Sequence, residues 1–256
     1  MSLRSRPVKR IKALYKVGSG QAQIVEKPSQ LSNILWRASQ GQFGRRNVAI
    51  TMMLFGSGMR IGEVGQLRVK DILYKNGEIK PALKLPAKFT KTNKSRVVYI
   101  IAKQQRSALE LWLKQRVKEK ILCSFSDDYL GPNPESPLFL SKKKEWRKFA
   151  YNVKKYPATD DKGREIIKET LVCSSLENMM RGIIKGAGIE GGSSHTGRRT
   201  LATWLDRKGC DLEAIQDVLN HESPDMTLVY IEPWMSRIEK ASGNILKGVK
   251  VPDVLK

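Results

Sequence analysis

The chain has 256 residues, with 47 Lys and Arg against 25 Asp and Glu and a formal net charge of +22; it is long enough for a sizeable core and basic enough to call for a polyanionic partner. Nucleic acid suits that partner better than a membrane, because the longest apolar run, Val48 to Phe55, is far short of the roughly 20 residues that cross a bilayer, and nothing marks a signal peptide. Cys123, Cys173 and Cys210 are odd in number and form no C-x-x-C pair, so they read as reduced, buried thiols of a cytoplasmic protein, not as a disulfide framework or zinc site.

Residues 1–25 carry Arg4, Arg6, Lys9, Arg10, Lys12 and Lys16 and pass through Gly18, Ser19 and Gly20. They read as a basic arm able to lie along phosphates, or equally as a solvated tail. From Pro28 the pattern turns helical, with Leu31, Ile34 and Leu35 on one stripe; after a break at residues 41–46, Val48 to Phe55 form a buried helix. Gly56, Ser57 and Gly58 then read as a loop that delivers Arg60 into the segment IGEVGQLRVKDI. Alone, an arginine in a glycine-rich turn is more often structural than functional.

Residues 69–101 have the alternation and turn residues of a small antiparallel sheet. Ile72, Leu73 and Tyr74 lead into Asn76 and Gly77, a strong hairpin pair, and Ile79, Leu83 and Leu85 alternate after it. In KFTKTNKSRVVYI a second turn is expected at Thr92 and Asn93, before a strand from Arg96 to Ile101; Lys88, Lys91 and Lys94 space this stretch. Such exposed lysines are ordinarily only solvated charges. Residues 104–122 form an amphipathic helix, with Ala108, Leu109, Trp112, Leu113 and Val117 inward and Arg106, Lys114, Arg116 and Lys118 outward.

Residues 142–170 interleave Lys142, Lys143, Lys144, Lys148, Lys154 and Lys155 with Trp146, Phe149, Tyr151 and Tyr156. Mixed in this way they could grip nucleic acid. The simpler reading is an inserted excursion with a small hydrophobic patch, ending in a turn at Asp160 to Gly163. Leu176 to Ile184 make a further helix that ends near Gly186 and Gly188.

The most informative stretch is 195–230, which holds both histidines of the chain. Gly191 to Ser194 read as a loop and N-cap, placing His195 and Arg198, three apart, on one face of a first helical turn. Asp211 caps a second helix with the stripe Leu212, Ile215, Val218 and Leu219, and His221 follows at its end. Ser223 and Pro224 start a short third helix that carries Met226, Thr227 and Tyr230. Two imidazoles, a guanidinium fork and a phenol suit attack on a phosphodiester. There is no H-E-x-x-H, no carboxylate cluster and no Cys and His spacing for a metal, so no metal ligand and no cofactor is expected. The elements describe an α+β fold, mainly α-helical, with a small antiparallel β-sheet.

HTGRRTLATWL resembles the His-x-x-Arg box of the tyrosine recombinases, the group containing phage integrases and Xer-type recombinases. LNHESPDMTLVYI resembles their second histidine box, with the nucleophilic tyrosine nine residues past the histidine. SGMRIGEV is similar to the first arginine box, and KFTKTNKSRVVYI to the lysine hairpin. PESPLFLS resembles a P-L-F segment found between hairpin and histidine box. Gly197, Arg199 and Asn220 depart from the residues usual at those positions, and Gly197 weakens the helix start.

The resemblance implies the tyrosine-recombinase catalytic fold over residues 26–240, with 142–170 as an insertion, 1–25 as the basic arm and 241–256 as a C-terminal tail. It implies a site-specific DNA recombinase acting through a 3′-phosphotyrosine. Arg60 and Arg198 would neutralise the scissile phosphate, Tyr230 would attack it, and His195 would take the phenol proton. His221 would hydrogen-bond a phosphate oxygen, Lys91 would protonate the departing 5′ oxygen, and Glu63 would orient its neighbours. DNA contacts are expected from Arg4, Arg6, Lys9, Arg10, Lys88, Lys94 and Arg199. Double-stranded DNA, a homotetramer on paired sites and an accessory bending or clamping protein are the implied partners; the last would replace the helical clamping domain that the family usually places before the first arginine box. The alternatives are a non-catalytic DNA-binding regulator on the same scaffold and a type IB topoisomerase-like relaxation of DNA. Trp234, Ile238, Ala241 and Ile245 recur near helical spacing, for docking on a neighbour or on the same domain.

Overall fold

The structure is a computed structural model that describes residues 22–90, 95–159, 163–221, 224–228 and 230–231. At its centre lies α2 (Gly44–Ser57), where Ala49, Ile50, Met53 and Leu54 are fully buried and even Arg46 and Thr51 lie inside. A helix apolar on nearly every side needs neighbours all round. They are α1 (Pro28–Ser39), α5 (Lys103–Lys118) and α7 (Thr196–Arg207), while α6 (Ser174–Gly186) packs on α1. Arg46 is tolerated there because it donates to the Leu140 carbonyl at 2.7 Å and stacks over the Phe43 ring at 4.4 Å. The helix begins earlier than the sequence break at 41–46 suggests. It also runs on through Gly56 and Ser57, which are therefore not loop, and stops at Gly58, whose left-handed φ of +57° ends it.

Beyond this stop come α3 (Ile61–Val64) and α4 (Val69–Ile72), so Ile72 closes a helix and does not open a strand. The Asn76–Gly77 turn is closed by a single bridge between Leu73 and Ile79. The sheet proper is β1 (Ala82–Leu85) against β2 (Arg96–Tyr99), antiparallel, with Leu83 opposite Val98 and Leu85 opposite Arg96. Lys91 to Lys94, with the expected second turn, lie outside the described residues.

On α5 two expected positions exchange. Arg116 is buried and Val117 exposed. Arg116 stands four residues after Trp112 and three after Leu113, so it shares their face, and its guanidinium donates to the carbonyls of Ile121 (3.2 Å) and Pro137 (2.9 Å) and to Ser136 Oγ (2.9 Å). Trp112 is core, its Nε1 donating to the Leu138 carbonyl at 2.8 Å.

The segment after Leu140 forms β3 (Ser141–Lys142), β4 (Trp146–Arg147) and a longer hairpin of β5 (Asn152–Thr159) and β6 (Glu165–Val172). Trp146 meets Phe43 edge-on at 5.8 Å, Phe149 is buried, and the Tyr151 hydroxyl donates to the Gly62 carbonyl at 2.9 Å. Those aromatics face the main core, not nucleic acid. The fold is thus mainly helical with small antiparallel sheets, as expected, though among the described residues there are three two-stranded sheets and not one.

Ala22, Ile24 and Val25, which the sequence places in the arm, are buried. The Val25 amide donates to Thr200 Oγ1 at 3.0 Å, and its carbonyl accepts from Trp204 Nε1 at 2.9 Å. Residues 1–21 of the arm, with Arg4, Arg6, Lys9 and Arg10, and residues 232–256 lie outside the described residues. Among the described residues no helix is long and apolar enough to cross a membrane. Of the cysteines only Cys173 is buried; Cys123 and Cys210 are intermediate, and all three are free.

Gly197 has a reason that sequence alone did not supply. A Cβ there would stand 2.9 Å from the Leu54 carbonyl carbon and 3.0 Å from the Leu54 Cβ and oxygen. The first turn of α7 thus rests directly on the backbone of α2. Gly197→Ala is expected to destabilise the protein by about 1–3 kcal/mol, against the gain of about 1 kcal/mol that alanine brings to an open helix position. Thermal melting checks this, and a raised melting temperature would contradict the close approach.

Candidate active site

Arg60 occupies the N-cap of α3, and Glu63 three residues on turns back to it. Glu63 Oε2 accepts from the Arg60 amide at 2.8 Å, and Oε1 accepts from Arg60 Nη1 at 3.1 Å. The same carboxylate receives Arg96 Nη2, from β2, at 2.5 Å. Glu63 is 1% exposed. Burial alone would raise its pKa, but the charges of Arg96 and Arg60 and their hydrogen bonds outweigh that and hold it below the ordinary carboxylate value.

Arg198, in the first turn of α7, is the next layer and is 1% exposed. Its Nη1 donates to the Gly58 carbonyl and its Nη2 to the Leu219 carbonyl. The first of these acceptors is the left-handed stop of α2. The second belongs to the last turn of α8 (Leu212–Leu219), which Asp211 caps through its Oδ1 on the Ala214 amide at 2.7 Å. Burial, then the nearby Arg60 and Arg96 charges, lower the Arg198 pKa to about 9, while Tyr230 and Glu63 act to raise it. It remains a cation at neutral pH.

Asn220 ends α8 at φ +50°, a left-handed position that asparagine tolerates where most side chains do not. The departure from glycine is therefore a conservative one for the backbone. His221 follows, buried, with Nδ1 at 2.9 Å from Oγ1 of Thr227 in α9 (Pro224–Leu228). Its ring lies 4.8 Å from that of Tyr230, and the Arg198 guanidinium carbon stands 5.5 Å over the Tyr230 ring. Burial, and then the charges of Arg198, Arg60 and Arg96, lower the His221 pKa to about 3. Its imidazole is neutral at physiological pH.

Three nitrogens here stand out. Arg198 Nε, Arg96 Nε and His221 Nε2 are buried and have no hydrogen-bond partner among the described residues, a state that is costly for a donor unless a ligand or solvent supplies an acceptor. Three guanidinium groups surround one carboxylate, so the nest carries an excess of positive charge. A cleft of about 440 Å³ opens beside it, lined by Arg60, Lys88, His195 and Arg198 and also by Glu169 and Glu177. His195 is exposed at the N-cap of α7, its amide donating to Ser193 Oγ at 3.2 Å.

Of the residues singled out by sequence, Arg60, Glu63, Lys88, His195 and Arg198 meet on the cleft; His221 and Tyr230 pack on each other and on Arg198 without lining it. Lys91 and Lys94 lie outside the described residues, as does Ser223. Arg199 corrects an expectation: it is buried and donates to the Ala22 carbonyl, so it tethers the incoming chain and does not face DNA. Arg96 was missed as a site residue. Its signal was parity, since Arg96 and Val98 share the inward face of β2, and a charge on the buried face of a strand requires a buried partner.

A mainly helical domain thus gathers arginines, histidines and a tyrosine beside one buried carboxylate. The chain belongs to the phage integrase family, which it matches over residues 27–237. It is 26% identical over 222 residues to an integrase/recombinase of Escherichia coli, covering 83% of this chain and 60% of that protein. It is also 26% identical over 199 residues to the tyrosine recombinase XerC of Bifidobacterium longum, covering 78% of this chain and 46% of that protein. The chain thus spans about half the length of these relatives. Solved structures share the fold: the XerA recombinase, at TM-score 0.55 and 22% identity over 88% of this chain and 66% of that one, and the XerH recombinase bound to its palindromic difH substrate, at TM-score 0.56 and 23% identity over 88% and 54%.

The depressed pKa of His221 has a thermodynamic consequence. The unfolded chain takes up a proton near pH 6.5 that the folded site refuses down to about pH 3. Stability contributed by the neutral ring is therefore complete above about pH 6.5 and is lost as pH falls through that window, by up to about 1.4 kcal/mol per unit. Thermal melts between pH 7 and 5 are expected to decline less steeply for His221→Gln than for the wild type. Equal slopes would mean that the ring titrates normally.

Proposed function

We propose that this chain carries the catalytic centre of a site-specific, integrase-like DNA recombinase that cuts and rejoins strands through a 3′-phosphotyrosine. The observation that carries the reading is a cationic nest that Tyr230 adjoins, in which Arg198 Nε and His221 Nε2, like Arg96 Nε, are buried with no hydrogen-bond partner among the described residues; with the ring proton on Nε2, the first two are donors. A phosphodiester is the anion that this arrangement suits: it supplies acceptor oxygens for both donors and negative charge for the surplus, and it is a substrate for a phenol nucleophile.

In this scheme Arg60 and Arg198 orient the scissile phosphate and stabilise the charge that builds on its oxygens. When the Thr227 hydroxyl donates to Nδ1 of His221, Nε2 carries the ring proton and donates it in a hydrogen bond to a phosphate oxygen. The Tyr230 oxygen bonds to phosphorus, its proton passes to His195, and the bond from phosphorus to the 5′ oxygen breaks, with Lys91 protonating that oxygen. Attack by a 5′ hydroxyl on the phosphotyrosine reverses the steps. One ester replaces another, so the scheme requires no ATP, and because arginines neutralise the charge it requires no metal. Exchange needs two duplexes, hence a tetramer on paired sites, with an accessory clamping or bending protein as a further partner. The XerH relative is described in complex with its DNA site, and a Tn1549 transposon integrase of the same fold with transposon-end DNA; both support double-stranded DNA as the substrate.

Covalent trapping tests the reading. Nicked duplexes covering the junctions that flank the protein's gene are mixed with wild type and Tyr230→Phe and run on a denaturing gel. An adduct with wild type and none with Tyr230→Phe is expected. Native-gel binding by wild type without any adduct would instead favour a DNA-binding regulator on this scaffold.

A further inference from the structure

Arg96 stands in the middle of the site yet has no part in the chemistry proposed above. Its side chain is 1% exposed. It joins three separate stretches of chain: it sits on β2, its Nη2 reaches Glu63 beside Arg60 at 2.5 Å, and its Nη1 reaches the Val218 carbonyl at 3.3 Å. Val218 and Leu219 are the last two residues of α8, where helix carbonyls lack intrahelical partners and the helix end is partially negative. Arg96 takes the first of these carbonyls and Arg198 the second. Immediately beyond them the chain turns at Asn220 and presents His221. One planar fork therefore spans from the turn that carries Arg60 to the helix end that presents His221, a span that the single ammonium of a lysine does not bridge in the same geometry.

We propose that Arg96 is a positioning residue, whose two-ended guanidinium fixes the separation between Arg60 and His221. The kinetic part of the proposal rests on the strand-transfer reading; the structural part does not. The groups around His221 are Arg198, Arg60 and Arg96 as cations, with Thr227 and Tyr230 in contact and Glu63 bound to Arg60 and Arg96. Loss of the Arg96 charge therefore makes His221 easier to protonate, and loss of the fork shifts its ring.

The chain's two histidines make the test direct. Full-length protein labelled on histidine with ¹³C and ¹⁵N is observed without DNA, with His195→Gln assigning the signals. In Arg96→Lys, which keeps the charge and protects against misfolding, the His221 ring signals are expected to move while those of His195 stay. In Arg96→Gln the His221 titration midpoint is expected to rise as well. Should Arg96→Gln fail to fold, Arg96→Lys decides alone. Unchanged His221 signals in folded Arg96→Lys would overturn the proposal. On nicked junction DNA at saturation, Arg96→Lys is expected to form the adduct on the order of 10²-fold more slowly, the scale of an ångström-level misplacement, with DNA affinity unchanged. A wild-type rate in that variant would also overturn it. If wild type itself forms no adduct, the strand-transfer reading fails, and the histidine spectra still decide the role of Arg96.

Discussion

A single buried carboxylate organises this site. Glu63 accepts from the Arg60 side chain and amide and from Arg96, and without it two cations would face each other and Arg198 in a desolvated space. Removing one partner of such a pair typically costs about 3–5 kcal/mol, because the other is left charged and buried. The arrangement is thus a stability liability that the rest of the fold must carry, and α2 is what carries it. Its largely apolar flanks pack against α5, α1 and α7, its left-handed end at Gly58 gives Arg198 an acceptor, and Leu54 receives the first turn of α7 without an intervening side chain.

The same geometry explains why Arg198 retains a vacant donor. Each of its two terminal nitrogens gives one N–H to a carbonyl, of Gly58 and of Leu219, which pins the guanidinium in place and leaves Nε as a further donor. In the proposed function Nε serves the ligand. Preorganisation of this kind lowers the reorganisation needed when charge develops on a phosphate, which is where electrostatic catalysis gains most. His221 shows the complementary arrangement. Buried among three cations it stays neutral, so it can donate one hydrogen bond without adding repulsion between positive groups.

Much of this was legible in the sequence, and what was not has physical causes. Helical periodicity gave α1, the core of α2, α6 and the helices around His195 and His221, because those elements bury one stripe and the stripe shows. Motif spacing gave Arg60, His195, Arg198, His221 and Tyr230 as candidates. Periodicity misled at Arg116 and Val117, where a long cation lay on the apolar face and was satisfied by the Ile121 carbonyl and by the Pro137 carbonyl and Ser136 hydroxyl of the distant 136–138 segment. Arg199 likewise read as a surface charge because its acceptor, the Ala22 carbonyl, is far away in sequence. Gly197 looked like a weak helix start since the contact that requires it, Leu54, is in another element. The β5–β6 hairpin read as a charged excursion because its described residues are nowhere fully buried: one face is half-buried at Tyr156, Ala158, Ile166, Thr170 and Val172, and the other described residues of the strands are exposed.

The most direct test of the central claim, that this nest is built for a phosphodiester, is a crystal structure of Tyr230→Phe bound to a duplex spanning the gene's flanking junction. The account predicts one backbone phosphate within hydrogen-bonding distance of Arg60, Arg198 Nε and His221 Nε2, with Glu63 still bridging Arg60 and Arg96. A duplex bound elsewhere on the domain, with no phosphate within reach of Arg198 Nε and His221 Nε2, would contradict it.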